Sequence, residues 1–192
     1  RIESAAAAAK LPLQKYFAKL CWNTRNWISP SGDAAKVEKG QTYASRMRFG
    51  HEEWLFNFNW LVDGWKYAFL QPVNKSLARL EGKTIDDRLF TVGGIKGWVY
   101  VGEIAQCQVL TRQQAHYARV QFKARGWLQN MKEQVQAVGG DVRGLRGSDP
   151  RDVFNIRFQR KNSELYDPLV PVHDGDGIHQ IKRYSLVPVA NV

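Results

Sequence analysis

The pattern of apolar and polar residues predicts a fold built mainly from short strands. Six segments have strand character, because they alternate apolar with polar residues or cluster aromatic and β-branched ones: 54–59, 65–73, 85–92, 98–104, 153–158 and 184–189. A Val-Asp-Gly turn separates the first two segments, and Gly93-Gly94 separates the next two. We therefore predict that the first four strands form a meander.

Two other segments repeat apolar residues at helical spacing. Intervals of three and four predict a short amphipathic helix over 11–20. A proline-free segment that stops at Gly139-Gly140 predicts one long helix near 112–138, or two helices broken near Gly126. Strands and helices do not alternate as in βαβ units. We therefore predict an α+β fold, in which flanking helices pack on a curved mixed β-sheet or a small β-barrel.

Length and cysteine content limit the organisation of the chain. A chain of 192 residues corresponds to one domain, which we assign to 11–192. Residues 1–10 are predicted to be a linker, a trimmed end or a cloning remnant, and the missing initiator Met suggests a piece of a longer protein. No apolar run reaches the ~18 residues of a membrane-spanning helix. The distant cysteines Cys21 and Cys107 favour a reducing compartment, so we expect a cytoplasmic protein.

The charge balance is the first feature that points to a partner. The chain has 28 Lys and Arg residues against 18 Asp and Glu residues, a net charge of +10, which favours polyanions such as nucleic acid. Aromatic residues make up 12% of the chain, and their rings serve either as core or as stacking platforms for bases. Serine hydrolase, zinc-protease, P-loop and dinucleotide-binding motifs are missing from the sequence. We leave enzymatic activity open and assign no catalytic residue, metal or cofactor.

One histidine-containing cluster leaves a metal site as an alternative. His173, Asp174, Asp176 and His179 fall within the stretch HDGDGIH, and imidazole and carboxylate groups can share a divalent ion. Repeated Asp-Gly pairs also satisfy the backbone geometry of turns. We favour the turn-rich loop over the metal site.

A second cluster leaves an acid–base pair as an alternative. His51, Glu52 and Glu53 are consecutive, and on a strand His51 and Glu53 would share one face. Catalysis would require a shifted pKa at one of these groups. Structural pairing with Arg46 or Arg48 is at least as compatible with the sequence.

A stretch at 21–32, CWNTRNWISPSG, combines rings, amides and a cation. Trp22 and Trp27 flank Asn23, Arg25 and Asn26. A base taken out of a duplex requires flat faces on both sides, amides that read its edge and positive charge for the neighbouring phosphates. Either tryptophan alone fits the core of a small barrel, whereas the cluster together with the net charge favours a base-binding pocket.

Basic residues near these segments predict the phosphate contacts. We assign this role to six residues: Arg25, Arg46, Arg48, Lys75, Arg143 and Arg146. The last two belong to the loop RGLRGSDPR, in which glycines let the backbone approach a phosphate and arginines pair with it. For any single residue, a solvated basic face remains the alternative.

Five motifs taken together carry a resemblance to a known family: Trp22-Asn23 with Asn26-Trp27 and Pro30, FGHEEWLF at 49–56, FLQPVNKS at 69–76, WVYVGEI at 98–104 and FNIRF at 154–158. They resemble the EVE-type domain of the PUA superfamily, which is joined to HNH nuclease modules in modification-dependent restriction endonucleases. The resemblance covers about residues 20–188. It implies a small curved β-barrel and a pocket that accepts a flipped 5-methylcytosine or 5-hydroxymethylcytosine.

Carried onto this sequence, the resemblance implies that Trp22, Asn23 and Trp27 line the pocket, with Trp54 as a third wall. Duplex DNA with a modified cytosine is then the partner, and no membrane is involved. The chain lacks an HNH-type segment, so cleavage is expected from a nuclease domain linked to it in the full-length protein. Three alternatives stay open: a PUA-type or YTH-like module that reads a modified base in RNA, a self-contained metal-dependent nuclease, and a protein-interaction domain.

Overall fold

The computed structural model describes residues 13–34, 42–94 and 97–191. Within these residues, eight strands form one sheet. The strands are β1 (Lys15–Leu20), β2 (Leu61–Val62), β3 (Trp65–Ala68), β4 (Thr84–Gly93), β5 (Gly97–Val109), β6 (Ile156–Gln159), β7 (Ser163–Pro171) and β8 (Val187–Pro188). The α-helices are α1 (Tyr43–Met47), α2 (Gln71–Asn74), α3 (Leu77–Leu80), α4 (Arg112–Ala124) and α5 (Trp127–Ala137). Short 3-10 helices occupy His51–Trp54, Val142–Leu145, Pro150–Asp152, Arg160–Asn162, Gly177–Gln180 and Val189–Asn191.

The sheet is mixed, with the order β2-β3-β6-β5-β4-β1-β8 and β7 paired to β5. β1 runs parallel to β4, and β4 forms an antiparallel hairpin with β5. Register shifts in that hairpin bend the sheet. The predicted α+β class is confirmed. The predicted meander is wrong, since β6 lies between β3 and β5. Turn residues predict where the chain reverses locally, but they do not predict the pairing of distant strands.

β1 occupies most of the segment predicted as a helix over 11–20, whose first two residues lie outside the described part of the chain. Tyr16, Ala18 and Leu20 belong to one apolar cluster and Phe17 to another, so the strand is covered on both faces. Apolar residues then follow one another without alternation. Such a run cannot be told from a buried helix by its spacing, which explains the wrong prediction.

Two further predicted strands are shortened or replaced. Segment 54–59 continues the 3-10 helix His51–Trp54 into turns, and its aromatic residues are mostly core residues. Segment 65–73 is a strand only to Ala68, and α2 follows, with Pro72 in the first turn, where a missing N–H costs nothing. At 184–189, only Val187–Pro188 pairs, with β1.

Gly126 divides the segment near 112–138 into α4 and α5, so a single long helix is not formed. Its φ of +74° lies in the left-handed region that glycine tolerates best. Thr111 and Gln114 cap the start of α4 reciprocally. Both helices bury their apolar face in one cluster, which contains Phe122 and Val135. No helix among the described residues combines the length and apolar character needed to cross a membrane.

The segment from Phe49 to Phe56 runs between the two largest apolar clusters. Phe49 and Trp54 pack with α4 and α5, whereas Leu55 and Phe56 pack with the residues of the central strands. This double anchoring fixes the 3-10 helix His51–Trp54. It therefore holds the side chains of His51 and Glu52 in defined positions next to α1 and α2.

Candidate functional site

Trp27 is a core residue. Its side chain is 0% exposed, and its Nε1 donates a hydrogen bond of 3.1 Å to the carbonyl oxygen of Cys21. Phe56 donates its backbone N–H to the Trp27 carbonyl oxygen over 2.9 Å, which folds the loop onto the core. A nucleobase cannot stack on a ring without accessible surface. The prediction of a base-binding slot between Trp22 and Trp27 is therefore wrong.

Trp54 and Trp22 are also packing residues. Trp54 is 3% exposed, and its Nε1 donates to Oε1 of Gln134 over 2.7 Å. Trp22 is half-buried against the β4–β5 turn, where a Cβ built on Gly93 would come within 2.6 Å of the indole. The prediction that Trp54 forms a wall of the base pocket is therefore wrong as well. Trp22 does not line the cavity described below.

The amide of Asn23 is used within its own loop. Its Oδ1 accepts from the backbone N–H groups of Arg25 and Trp27 at 2.6 and 3.0 Å. Its Nδ2 donates to the carbonyl oxygen of Ser29 at 2.9 Å and to Oε1 of Glu53 at 2.8 Å. These four bonds fill the hydrogen-bonding capacity of a side-chain amide. Asn23 therefore shapes the loop and has no group left to read a base.

A cavity of about 540 Å³ lies between α1, the 3-10 helix His51–Trp54, α2 and the loop 143–152. Its volume falls within the roughly 300–1,000 Å³ of sites that bind small molecules. The lining combines ring surfaces, a buried carboxyl group, side-chain amides and cations. The sequence analysis predicted rings, amides and cations for a base pocket, whereas the buried carboxyl group was not predicted and most of the lining comes from other residues.

Aromatic rings form one part of the lining, contributed by Tyr43, His51, Phe69 and Tyr184. The His51 ring lies 5.2 Å from the Tyr43 ring and 5.0 Å from the Phe69 ring, between centroids. The Tyr43 hydroxyl donates to the carbonyl oxygen of Gly144 over 2.9 Å, and Nε2 of His51 lies 3.0 Å from the same oxygen. Burial lowers the pKa of His51 to about 4, so its imidazole is neutral at pH 7.

Glu52 contributes a buried carboxyl group to the lining. It is 3% exposed, and its Oε1 accepts the backbone N–H of Gln71 at 3.2 Å. Burial raises the pKa of Glu52 to about 7, and the charge of Glu53 acts in the same direction. The neutral form, with one donor and one acceptor, is therefore well populated near pH 7. The side-chain amides of Gln71 and Asn74 face the same cavity and make no hydrogen bond within the described residues.

Glu53 has a structural role instead. It is 0% exposed and accepts from Asn23 Nδ2 at 2.8 Å and from the backbone N–H groups of Ser31 and Gly50, each at 3.0 Å. Burial raises its pKa, and these donors act against that rise. Neither the His51–Glu53 pair nor an ion pair with the neighbouring arginines is found among the described residues.

Three of the six predicted phosphate-binding residues, Lys75, Arg143 and Arg146, line the cavity with exposed side chains. Arg143 also forms an ion pair of 2.6 Å with Asp141. The other three do not line the cavity. Arg46 and Arg48 are exposed on and after α1, which itself forms a wall, and Arg25 donates to the carbonyl oxygen of Pro30 over 2.9 Å.

The HDGDGIH loop is held by turn contacts. Oδ2 of Asp176 accepts from the Tyr100 hydroxyl at 3.1 Å and from the His173 N–H at 3.3 Å, and His179 Nε2 lies 3.1 Å from the His173 carbonyl oxygen. In the described parts of the chain, no group of three or more His, Cys, Asp and Glu side chains is arranged to hold a metal ion. This geometry gives the metal-dependent nuclease no support.

The sequence analysis missed most of the ring and amide residues of the cavity, namely Tyr43, Phe69, Gln71, Asn74 and Tyr184. A signal for several of them was nevertheless present. The motif at 49–56 supplies Gly50, His51 and Glu52, and the motif at 69–76 supplies Phe69, Gln71, Asn74 and Lys75. Both motifs carried the resemblance to the EVE-type domain, but the wall predicted from the first was Trp54, and no wall was predicted from the second.

Comparison with known proteins identifies no relative of the chain. No protein-family model, no curated protein and no solved structure matches it. The function is therefore inferred from the cavity, its charges and the motifs that form it.

Proposed function

We propose that this chain is a DNA-binding recognition module of the EVE type that flips a modified cytosine, 5-methylcytosine or 5-hydroxymethylcytosine, out of duplex DNA and holds it in the cavity of about 540 Å³. The observation that carries the proposal is the buried Glu52 carboxyl group in a cavity with rings inside and cations at its opening. The motifs at 49–56 and 69–76 both contribute to this cavity.

The rings account for the affinity of the cavity for a flat base. Unstacking a base costs a few kcal/mol, and stacking on a protein ring returns roughly 1–3 kcal/mol. Tyr43 and the neutral imidazole of His51, both half-buried, supply ring surface inside the cavity. Phe69 is 3% exposed and packs edge-on against the His51 ring, so it supports that ring from below the cavity surface. Burial of a 5-methyl group adds about 1 kcal/mol, which corresponds to roughly fivefold preference over unmodified cytosine.

Glu52 accounts for the choice of cytosine. The hydrogen-bonding edge of cytosine offers the amino group on C4 as a donor and N3 as an acceptor. A neutral carboxyl group matches this pair, with its carbonyl oxygen facing the amino group and its O–H facing N3. Thymine carries the same 5-methyl group but reverses both positions. A carboxyl group can carry its proton on either oxygen, but Oε1 already accepts the Gln71 N–H, which favours the proton on Oε2. This order of acceptor and donor disfavours thymine, and the match with cytosine weakens as Glu52 ionises above pH 7.

The cations account for binding of the DNA backbone. Lys75, Arg143 and Arg146 are exposed beside the opening of the cavity, where the phosphates next to a flipped nucleotide must pass. Arginine pairs with phosphate in a bidentate manner, and lysine acts as a point charge.

In this proposal the sheet closes in the manner of a PUA-type barrel, and a linked nuclease domain in the full-length protein cleaves the DNA.

A binding panel tests the proposal. Identical duplexes carry cytosine, 5-methylcytosine, 5-hydroxymethylcytosine or N6-methyladenine at one position, and a further duplex carries thymine opposite guanine. We expect the modified cytosines to bind about fivefold more tightly than cytosine, and to bind more tightly than thymine, although a mismatched thymine is easier to flip. Fluorescence anisotropy between pH 6 and pH 9 measures each dissociation constant.

Two variants of Glu52 make the panel specific for the cavity. Glu52→Gln keeps one donor and one acceptor, so it retains discrimination against thymine but loses the decline in affinity above pH 7. Glu52→Ala loses the discrimination. The exposed Glu133→Gln is the matched control and should behave as wild type. Equal affinity across the panel, tighter binding of a modified single-stranded RNA, or metal-dependent nicking of methylated plasmid would each contradict the proposal.

A further inference from the structure

A second cavity, of about 590 Å³, lies directly beside the first and is lined by Arg112, Gln113, His116, Arg119, Ser148 and Pro150. Gly147 lines the first cavity and Ser148 lines the second. Consecutive Cα atoms are about 3.8 Å apart, and Nη1 of Arg119 in the second cavity donates to the carbonyl oxygen of Gly147 over 2.9 Å. The two cavities therefore adjoin at the segment Gly147–Ser148.

The lining of the second cavity has basic groups and no carboxylate. The side chains of Arg112 and His116 are exposed and make no hydrogen bond or ion pair within the described residues. Two carboxyl groups lie near Arg112: Oε1 of Glu81 accepts its backbone N–H over 3.4 Å, and Asp149 acts on it electrostatically. Both carboxyl groups are paired with Arg151, over 2.8 and 2.7 Å. The guanidinium of Arg112 thus remains available for an anion.

The wall between the cavities is held in place from several sides. Arg119 donates through Nη1 to the carbonyl oxygen of Gly147 over 2.9 Å, and Arg151 donates through Nη1 to Oε2 of Glu81 over 2.8 Å. A Cβ built on Gly147 would come within 2.4 Å of the Asp152 side chain, so only glycine allows this close packing. The spacing of the two cavities is therefore a fixed property of the fold.

We propose that the second cavity binds a backbone phosphate of the DNA strand, next to the nucleotide that enters the first cavity. This inference rests on the proposed function. A flipped nucleotide stays covalently joined to its neighbours, so a phosphate beside it must leave the first cavity along one of its walls. The segment Gly147–Ser148 is the wall at which the second cavity adjoins the first. Arg112, which faces this wall from α4 and whose guanidinium makes no hydrogen bond within the described residues, is the residue that binds the phosphate.

The dependence of DNA affinity on salt tests the inference. Each phosphate contact contributes about 0.9 to the slope of log K against log salt concentration. Arg112→Ala should reduce the slope by about that amount for modified and unmodified duplexes alike, and leave the ratio of the two affinities unchanged. Arg112→Lys should restore most of the slope. Lys123→Ala, exposed on the same helix and roughly 16 Å further along, is the matched control and should leave the slope unchanged.

The outcomes separate this inference from the proposed function. An unchanged slope in Arg112→Ala, with the preference for modified cytosine intact, would overturn the phosphate site alone. A reduced slope without any preference would overturn base recognition alone. Titration with inorganic phosphate is the second arm. Binding of phosphate could saturate at millimolar concentration in wild type and be abolished in Arg112→Ala, while the salt slope on DNA stays unchanged. That result would assign the cavity to a free anion and overturn the backbone contact.

Discussion

Replacing Glu52 by Gln should make the stability of the protein less dependent on pH. Burial raises the pKa of Glu52 from an ordinary value of 4.5 to about 7. An acid whose pKa is raised by folding binds protons more tightly in the folded state. The contribution of Glu52 to the free energy of unfolding is then most favourable below pH 4.5 and is lost as the pH rises towards 7. Glutamine cannot ionise and still accepts the N–H of Gln71, so the stability of Glu52→Gln does not fall in this way as the pH rises.

The magnitude follows from the two pKa values. Each pKa unit corresponds to about 1.4 kcal/mol, so full ionisation of Glu52 costs about 3 kcal/mol of unfolding free energy. Between pH 5 and pH 8, wild type should lose about 2–3 kcal/mol more than Glu52→Gln. Asp87, whose pKa burial raises to about 7, and Lys66, whose pKa burial lowers to about 7, titrate in both proteins. The difference between the two proteins therefore isolates Glu52.

Urea denaturation at pH 5, 6, 7 and 8 measures the two stability profiles. The exposed Glu133→Gln removes a carboxyl group without removing a buried charge, so its profile should run parallel to that of wild type. If Glu52→Gln also runs parallel to wild type, Glu52 is ionised without cost in the folded protein, and the neutral carboxyl group invoked for base recognition would be refuted.

Two further changes test the structural roles assigned to single residues. Trp27→Ala removes a fully buried indole from the core and should lower the unfolding free energy by about 3–5 kcal/mol. A variant that keeps its stability and loses only the preference for modified DNA would restore Trp27 to the pocket. Asn155→Ala removes a side chain that accepts from the Leu70 N–H at 2.8 Å and donates to the Leu70 carbonyl oxygen at 2.9 Å. Leaving both backbone groups of Leu70 unpaired should lower the unfolding free energy by about 2–5 kcal/mol. The exposed Asn130→Ala is the control and should change it by less than about 0.5 kcal/mol. Equal effects of the two substitutions in urea titrations would disprove the role of Asn155.

Local features of the fold could be predicted because they depend on residues near each other in the chain. The Gly93-Gly94 turn joins β4 to β5, and Gly126 ends one helix before the next. The sheet order could not be predicted in this way. β3 pairs with β6, which brings 65–68 beside 156–159, and no local pattern encodes that contact. The double-sided burial of β1 likewise depends on elements from distant parts of the chain.

The candidate site was predicted by residue type more successfully than by position. Exposed cations stay at the surface of almost any fold, and Lys75, Arg143 and Arg146 do lie at one cavity, although their binding of phosphate stays a prediction. Tryptophans are ambiguous, because a large apolar ring serves as core or as a stacking surface. Trp27 and Trp54 are core residues here. The rings of the cavity are smaller ones, and the motifs that contain His51 and Phe69 gave no indication that these rings face a pocket.

The adjacent carboxyl groups of Glu52 and Glu53 explain why the cavity is the better candidate for recognition. Glu53 accepts short hydrogen bonds from Asn23, Ser31 and Gly50, so a ligand would have to displace donors that hold the loop together. Glu52 receives the Gln71 N–H at 3.2 Å, and its own backbone N–H and the weak thiol donor of Cys21 also favour its charged form. Burial outweighs these donors, raises the pKa of Glu52 and costs stability. A ligand with a donor and an acceptor side by side would recover that cost on binding, and this is why the proposed function assigns the selection of such a ligand to Glu52.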